Sequence, residues 1–346
     1  MLRSVVKLFL FFITALLAVT PLYAATPVGD WFLQAGTNGD GKSAASPTGS
    51  SAAIEHQSAE GDTIILLPAD TALEGGLALK AGQKLIGVSD SGRKPVLTNS
   101  NSTRNEGCGI VLADSNRVLN LRIENTHASG IYGPSTSTAH IESVDVHNAN
   151  WSASFVEASY STLPGSLPHG GMMFVHSRSL DSSSGEVSVT SSRVTQAAGF
   201  GIVSITSGSA HSSLSVSHTK VEGGSRIGFF DAGISTLVQG SAAKVQLEIT
   251  DSEVQGRMSR SGRNVMVVAS SGAHANARIQ RFVSGPTGQD GIVGAVMQSP
   301  SEISISISDS LIEGAGQMNV EGSLINLPPD DPSQANRARV SIDIEG

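Results

Sequence analysis

The sequence predicts an all-β solenoid, a fold in which short strands stack on their counterparts one coil along the chain. The first observation is a recurrent pair made of a glycine and an apolar residue. This pair occurs at Gly109-Ile110, Gly130-Ile131, Gly171-Met172, Gly201-Ile202, Gly233-Ile234 and Gly291-Ile292, with weaker copies at Asn264-Val265 and Ser323-Leu324. Successive copies lie 21 to 41 residues apart. Such a period is typical of solenoids, in which each repeat buries its apolar face against its neighbours.

The second observation is a set of short segments in which apolar and polar residues alternate, about ten residues after each copy. Examples are residues 118–123, 141–146, 187–189, 214–216, 245–249 and 303–307. Alternation of this kind predicts strands, and the Gly, Ser and Asn turns between them leave no room for a crossover helix. A β-sandwich also joins short strands by turns, and it is the alternative fold.

Composition excludes two classes of protein. The chain has 346 residues with 22 Lys and Arg against 30 Asp and Glu, a net charge of −8. Its basic residues are scattered, so nothing would neutralise a phosphate backbone, and we expect no nucleic-acid partner. Cys108 is the single cysteine, which excludes a disulfide framework. Stability must therefore come from packing and backbone hydrogen bonds.

Residues 1–25 have the pattern of an export signal. Arg3 and Lys7 precede an apolar run at residues 8–19, and Pro21, Ala24 and Ala25 follow it. This order is that of a secretory signal peptide, and the run is too short to cross about 30 Å of hydrocarbon. We therefore expect a secreted, periplasmic or cell-surface protein without a membrane span.

The repeats resemble a known family. Residues 116–125, N-R-V-L-N-L-R-I-E-N, followed by Gly130-Ile131-Tyr132, are similar to the repeat of right-handed parallel β-helix proteins, the pectin-lyase-like superfamily. Residues 61–68, G-D-T-I-I-L-L-P, resemble the first coil of that group, which follows a capping helix. The resemblance implies an all-β, right-handed, single-stranded parallel β-helix at residues 61–346. It also implies an N-terminal segment and cap at residues 26–60, with a helix near residues 50–57 whose Ala52, Ala53 and Ile54 cover the core.

The same resemblance leaves the catalytic residues unknown. Related hydrolases carry clustered aspartates and a Gly-His-Gly motif, which Pro168-His169-Gly170-Gly171 matches only in part. Related lyases use an arginine base with acidic calcium ligands. Arg257, Arg260 and Arg263 form an arginine cluster, but no acidic residue lies within ten residues after it. A polysaccharide lyase or glycoside hydrolase therefore stays an alternative to a protein that only binds.

One coil is longer than the others and predicts the ligand site. The step from Ile131 to Met172 is 41 residues, and the excess lies in a loop at residues 148–169. Aromatic rings stack on the apolar faces of sugars, while imidazole and amide groups bind hydroxyls. The candidate ligand-binding residues are Tyr132, His147, Trp151, Tyr160, His169 and His176. In the alternative interpretation the aromatic residues are core and the histidines are surface residues.

Cofactors are not indicated, with calcium left open. Residues 36–43 match the phosphate-binding loop formula, but Pro47 would break the helix that such a loop needs. We expect a glycine-rich surface turn, in which Asn38 and Asp40 offer oxygen ligands for calcium but lack the later acidic ligand. His169 and His176 lack the spacing of a zinc site, so we expect no metal centre.

The last strand predicts a contact with another molecule. Residues 303–307 align with residues 340–344, so a new coil begins there. An uncovered strand exposes its hydrogen-bonding groups, so we expect this C-terminal coil edge to pack on a partner, to self-associate, or to be the point where a longer repeat array was cut. The function predicted is a surface or periplasmic polysaccharide-binding and scaffold protein. A carbohydrate-active enzyme is the first alternative, and an adhesin or assembly subunit is the second.

Overall fold

The structure is a computed structural model that describes residues 31–135, 138–157, 166–178, 184–224, 231–298, 300–324 and 338–345. The segment predicted as an export signal, residues 1–25, lies outside the described residues. Three long sheets run along the molecule, and we name them A, B and C. The predicted fold class, an all-β parallel β-helix with a short N-terminal capping helix, is confirmed.

Each coil contributes one strand to each sheet, in the order A, B, C. Sheet A contains β1 (Trp31–Leu33), β2 (Asn38–Ser43), β3 (Ser46–Thr48), β4 (Thr63–Leu66), β7 (Lys84–Gly87), β10 (Asn116–Leu119), β13 (Thr138–Glu142), β18 (Ser184–Thr190), β21 (His211–Ser217), β24 (Lys244–Thr250), β27 (His274–Gln280), β30 (Glu302–Ser308) and β33 (Arg339–Glu345). Sheet B contains β5 (Leu73–Glu74), β8 (Val96–Thr98), β11 (Arg122–Glu124), β14 (Asp145–His147), β19 (Arg193–Thr195), β22 (Lys220–Glu222), β25 (Glu253–Gln255), β28 (Val283–Ser284) and β31 (Leu311–Ile312). Sheet C contains β6 (Leu77–Ala78), β9 (Ile110–Val111), β12 (Ile131–Gly133), β17 (Met172–Arg178), β20 (Ile202–Gly208), β23 (Asp231–Gln239), β26 (Gly262–Ser270), β29 (Ile292–Val296) and β32 (Val320–Leu324).

The glycine-led repeat forms one column inside sheet C. The residues in register are Leu77, Ile110, Ile131, Met172, Ile202, Ile234, Val265, Ile292 and Val320. The prediction is wrong at its last member, because Val320 and not Leu324 aligns with Ile292. Leu324 aligns with Val296 and is 52% exposed. Asn319 stands where most copies have glycine, which hid the correct register.

Two of the segments predicted as single strands, residues 118–123 and 141–146, are divided by a corner between sheets A and B. Residues 118–123 form parts of β10 and β11, with Asn120 between them at φ 54°. The corner residue has a positive φ in successive coils: Asn120, Ser143, Ser191, His218, Asp251, Arg281 and Asp309. These side chains share little chemistry. Each coil instead holds the conformation by donating the corner N–H to the next coil, as from Ser191 to the Ser217 carbonyl at 3.0 Å.

A ladder of hydroxyl groups follows the same corner. The Ser252 hydroxyl donates to the carbonyl of Thr250 at 2.7 Å and accepts the N–H of Thr219 at 3.1 Å. Thr219 repeats this arrangement toward Ser217 and Ser192. The hydroxyl groups of Ser252 and Thr219 thus supply buried hydrogen-bond partners for backbone groups at the corner, where the bend prevents pairing within a sheet.

The N-terminal end of the core is covered. Helix α1 (Ser51–Gln57) begins at the N-cap Ser50, whose hydroxyl accepts the Ala53 N–H at 3.1 Å. Ile54 is fully buried in the core, whereas Ala52 is exposed, so only Ile54 of the three predicted residues closes the core. Neither α1 nor the 3₁₀ turn Asn105–Gly107, the helices of the described residues, has the length and apolar character to cross a membrane.

The segment that matches the phosphate-binding formula is a β-hairpin. β2 pairs with β3 in antiparallel fashion, and no helix starts at Lys42. The Lys42 Nζ lies 3.1 Å from the centroid of the Trp31 ring. Residues 38–43 therefore form a strand and not the predicted glycine-rich turn, and the lysine is used in a cation–π contact.

Candidate functional site

The long connection of the fourth coil is closed at its base by one amide. It contains the antiparallel pair β15 (Phe155–Glu157) and β16 (Ser166–Pro168). Asn150 is fully buried and donates from Nδ2 to the carbonyls of Ser154 at 3.1 Å and His169 at 2.9 Å. Its Oδ1 accepts the Ser154 N–H at 2.7 Å. The two ends of the connection are therefore fixed against each other, whatever lies between them.

Two of the predicted ligand-binding residues contact each other at this base. Tyr132 and His169 pack edge to face, with ring centroids 5.5 Å apart, and both are at least nine-tenths buried. The Ser129 hydroxyl lies 2.8 Å from His169 Nδ1 and accepts the Gly170 N–H at 3.3 Å. Burial, with a smaller contribution from His127, lowers the pKa of His169 to about 4. His169 is therefore neutral at neutral pH and acts here as a packed hydrogen-bonding group.

Trp151 is an exposed aromatic residue in the described part of the connection. Its ring packs edge to face on His127 at 5.5 Å, and 48% of the residue is exposed. The Ser152 hydroxyl donates to the His127 carbonyl at 2.5 Å, which fixes the turn that carries the indole. Trp151 presents an apolar ring to solvent from a fixed backbone, as stacking on a sugar requires.

The remaining candidates lie elsewhere. His176 is buried and follows Met172 and Phe174 on the inner side of β17, against the backbone of Gly185. His147 lies on the outer face of sheet B, with Nδ1 2.8 Å from the Thr195 hydroxyl. Tyr160 lies outside the described residues. The six candidates do not form one cluster, and their role in binding stays a prediction.

A cleft on the outer face of sheet B adds residues that the sequence did not indicate. Its volume is about 530 Å³. The lining residues are Arg122, Asp145, Val146, His147, Arg193, Thr195, Gln196 and Glu222. Each strand of sheet B here has a buried apolar residue between two outward polar ones, as in Arg122-Ile123-Glu124. That three-residue pattern, repeated once per coil, indicates outward polar side chains but does not show which of them line one cleft.

Ion pairs hold the cleft side chains in place. Lys94 Nζ lies 3.0 Å from Asp145 Oδ2, and Lys220 Nζ lies 2.9 Å from Glu222 Oε1. Arg193 Nε donates to Glu222 Oε2 at 3.2 Å. The hydrogen bonds from Arg193, with smaller contributions from Lys220 and Gln255, lower the pKa of Glu222 to about 2. Glu222 is therefore a fixed anion throughout the physiological pH range.

The arginine cluster has acidic partners that distance along the sequence concealed. Arg257 is fully buried and bonds Asp231 Oδ1 as well as the carbonyls of Gly223 and Gly199. Arg263 Nε lies 3.2 Å from Asp290 Oδ2. The acidic partners are 26 and 27 residues away, which is one coil. No acidic residue follows the cluster within ten residues of sequence, but the stacking of coils brings Asp231 and Asp290 against Arg257 and Arg263.

A second, smaller cleft borders the Arg263–Asp290 pair on the outer side of sheet C. Its volume is about 220 Å³, and Met266, Val293 and Met297 form part of its apolar lining. On the preceding strands of sheet C, outward residues are buried, including Met173, Val203 and Leu237 at 0–1% exposure. Sheet C therefore does not present an open outer groove along its middle strands.

The described residues offer neither a metal-binding cluster nor a reactive thiol. No group of three or more His, Cys, Asp or Glu side chains with metal-binding geometry occurs in the described part of the chain. The Lys42 N–H, the largest contribution, and the Ser46 hydroxyl lower the pKa of Asp40, whose carboxylate is thus engaged within the hairpin. Burial raises the pKa of Cys108 to about 12, so its thiol is unreactive.

No protein-family profile and no curated protein matches the chain. Two crystal structures of the GH136 lacto-N-biosidase from Eubacterium ramulus are similar to it. The native structure has a TM-score of 0.43 and 10% identity, over 91% of this chain and 68% of that one. The selenomethionine derivative has a TM-score of 0.42 and 11% identity, over 91% and 67%. A similarity of this size carries no information on activity.

Proposed function

We propose that this protein is an exported, polysaccharide-binding scaffold protein of the pectin-lyase-like superfamily, located in the periplasm, at the cell surface or outside the cell. The observation that carries the proposal is the sheet B cleft of about 530 Å³. Its walls combine guanidinium, carboxylate, imidazole, hydroxyl and amide groups in one open surface. Sugars present hydroxyl groups in many directions, and such a mixture of donors and acceptors satisfies them.

Trp151 supplies the apolar part of the proposed surface. It follows His147, a cleft residue, by four positions around the corner that leaves sheet B. Asn148 Nδ2 donates to Asn125 Oδ1 at 2.8 Å across neighbouring coils at that corner. A glycan chain lying in the cleft would reach an exposed indole beside an asparagine pair. Stacking and hydroxyl binding would then act on the same chain.

The ionisation of Glu222 suits the binding of a ligand. A glycoside hydrolase needs one carboxylic acid that is protonated at working pH, together with an ionised carboxylate. Glu222 does not serve as that acid, because Arg193 keeps its pKa near 2. A fixed anion paired with fixed cations suits recognition of hydroxyl groups, and the incubation described below distinguishes binding from catalysis.

Affinity electrophoresis in gels that contain neutral or uronic-acid polysaccharides tests this proposal. We expect at least one polysaccharide to retard the protein, and Arg193→Ala and Trp151→Ala each to weaken the interaction about tenfold, equivalent to about 1.4 kcal/mol. The matched controls are Arg278→Ala, an exposed arginine on the outer face of sheet A, and Trp151→Phe, which keeps a ring. Equal retardation of all four variants would move the site away from sheet B.

The polysaccharide that retards the protein in these gels also serves to test the enzymatic alternative. Incubation with the retarding polysaccharide should leave both ultraviolet absorbance and reducing ends unchanged. A rise in absorbance would indicate a lyase, and a rise in reducing ends a hydrolase. Either result would replace the binding proposal.

A further inference from the structure

The outward side chains of sheet B form two columns along the solenoid, and the sheet B cleft extends across both. Column 1, on the side of sheet A, contains Arg122, Asp145, Arg193, Lys220 and Glu253. Column 2, on the side of sheet C, contains Glu124, His147, Thr195, Glu222 and Gln255. Successive members of a column lie one coil apart, about 4.8 Å. Arginine and lysine side chains are thus confined to column 1 over these five coils.

The middle of column 2 is a patch of groups that bind by hydrogen bonds. His147 and Thr195 are in register on neighbouring coils, with Nδ1 of the imidazole 2.8 Å from the threonine hydroxyl. Asn148 and Gln196 follow them at the corner toward sheet C. Imidazole, hydroxyl and amide groups offer both donors and acceptors. A sugar hydroxyl, which donates and accepts, finds a partner for each role on this patch.

A carboxylate lies on each side of this patch. Glu124 occupies column 2 one coil before His147, and Glu222 occupies it one coil after Thr195. Each carboxylate is held by an arginine of column 1. Arg122 Nη2 lies 2.8 Å from Glu124 Oε2, and Arg193 Nε donates to Glu222 Oε2 at 3.2 Å. The two guanidinium groups are therefore neutralised at the sides of the patch.

The described lining of the cleft has no excess of arginine over carboxylate. Arg122 and Arg193 are balanced by Asp145 and Glu222, and Asp145 has Lys94 Nζ at 3.0 Å as its partner. The carboxylate of a uronic acid would have to replace a protein carboxylate on its cation. The displaced protein carboxylate would then lie close to the ligand carboxylate, and like charges at such a distance repel each other. The exchange of one anion for another gains nothing.

A neutral sugar meets no such cost. Its hydroxyl groups can donate to the carboxylates and accept from the arginines while the ion pairs stay closed. The exposed ring of Trp151 beside this corner adds an apolar contact that does not depend on charge. The arrangement of column 2 therefore distinguishes polysaccharides by their charge.

We propose that the sheet B cleft selects neutral polysaccharides and rejects uronic-acid polymers, with Glu124 and Glu222 as the residues that determine this specificity. The inference rests on the proposed function, because it names the class of polysaccharide that the same site binds. The ligand lies on the patch of His147 and Thr195, between the two carboxylates.

Affinity electrophoresis tests the class of ligand. The neutral probes are galactomannan, xyloglucan, starch and hydroxyethyl cellulose, and the uronic-acid probes are polygalacturonate and alginate. We expect at least one neutral probe to retard the protein, at low and at high ionic strength alike, because screening by salt acts on charges. We expect no retardation by either uronic-acid probe. Retardation by one of them would overturn the specificity and leave polysaccharide binding intact, whereas no retardation by any probe would overturn both.

Charge variants test the residues that determine specificity. Glu222→Gln and Glu124→Gln each free an arginine of column 1, so the apparent affinity for polygalacturonate should rise at least tenfold in each. The matched control is Glu186→Gln, which removes an exposed carboxylate from the outer face of sheet A and changes the net charge equally. Far-ultraviolet circular dichroism establishes that each variant keeps its strands. No gain in the two cleft variants, or an equal gain in the control, would overturn the role assigned to Glu124 and Glu222.

Discussion

Sheets B and C differ in how far their paired charged side chains are exposed to solvent. On sheet B the Arg193 and Glu222 side chains are 56% and 23% exposed. On the side of sheet C the Arg257 and Asp231 side chains are both fully buried. The two regions arise from the same stacking of coils and differ in the connections beside them. An exposed pair can exchange its partners for a ligand, whereas a buried pair is committed to the fold.

The buried pair joins the connections of successive coils. Arg257 reaches the carbonyl of Gly223 at 2.7 Å, in the coil before it, and the carbonyl of Gly199 in the coil before that. Asp231, at the start of β23, neutralises it. One guanidinium therefore binds glycine carbonyls in the two coils that precede its own. These contacts explain why an arginine tolerates complete burial at this position.

The largest effect that we predict comes from breaking this pair. Arg257→Met should lower the free energy of unfolding by about 3–5 kcal/mol, because Asp231 stays buried without its cation. Urea unfolding followed by circular dichroism measures the change. The control Arg278→Met removes an exposed arginine from sheet A and should change the value by less than about 0.5 kcal/mol. Equal losses in the two variants would show that the buried pair does not stabilise the fold.

The difference between the regions also marks what the sequence could predict. The glycine-led column was predictable, because a close approach of coils excludes a side chain at the glycine position of most coils: a Cβ at Gly233 would lie 2.2 Å from Val254. The corners with positive φ were not predictable, because Asn120, His218 and Arg281 share no propensity and are held by coil-to-coil hydrogen bonds.

Within the candidate site, two kinds of information were missing from the sequence analysis. One was the side of a strand that each residue faces, and the other was which residues become neighbours when coils stack. Counting alternate residues from Met172 places His176 inside β17, so its exclusion from a surface cluster could have been predicted. The partners of Arg257 and Arg263 required the exact register, since a loop of variable length separates each arginine from its acid. The sheet B cleft needed lateral neighbours from several coils, which a single sequence pattern does not display.

The next effect concerns the neutral histidine beside sheet C. The folded pKa of His169 is about 4, below its ordinary value of 6.5, so the unfolded chain takes up the proton first. Its contribution to stability is complete above about pH 6.5 and is lost as the pH falls toward 4, up to about 3 kcal/mol. His169→Gln should remove this part of the pH dependence of the urea midpoint between pH 7 and 4.

The matched control for this titration is His56→Gln, an exposed position on α1. It should keep the wild-type dependence on pH across the same interval. An unchanged slope in His169→Gln would mean that the histidine protonates in the folded state without cost. The buried side of the molecule would then tolerate charge as the sheet B face does.

The smallest effect on stability is expected on sheet B, together with a clear change in ionisation. Arg193→Gln should lower the free energy of unfolding by less than about 1 kcal/mol, because the pair is exposed. The pKa of Glu222 should rise from about 2 toward its ordinary 4.5, since its strongest hydrogen-bond donor is lost. A carboxyl titration by nuclear magnetic resonance measures this shift.

Arg122→Gln is the control, because Arg122 pairs with Glu124 at 2.8 Å and should leave Glu222 unchanged. A large loss of stability without a shift in the Glu222 pKa would contradict the distinction, since sheet B would then use its ion pairs for folding as sheet C does.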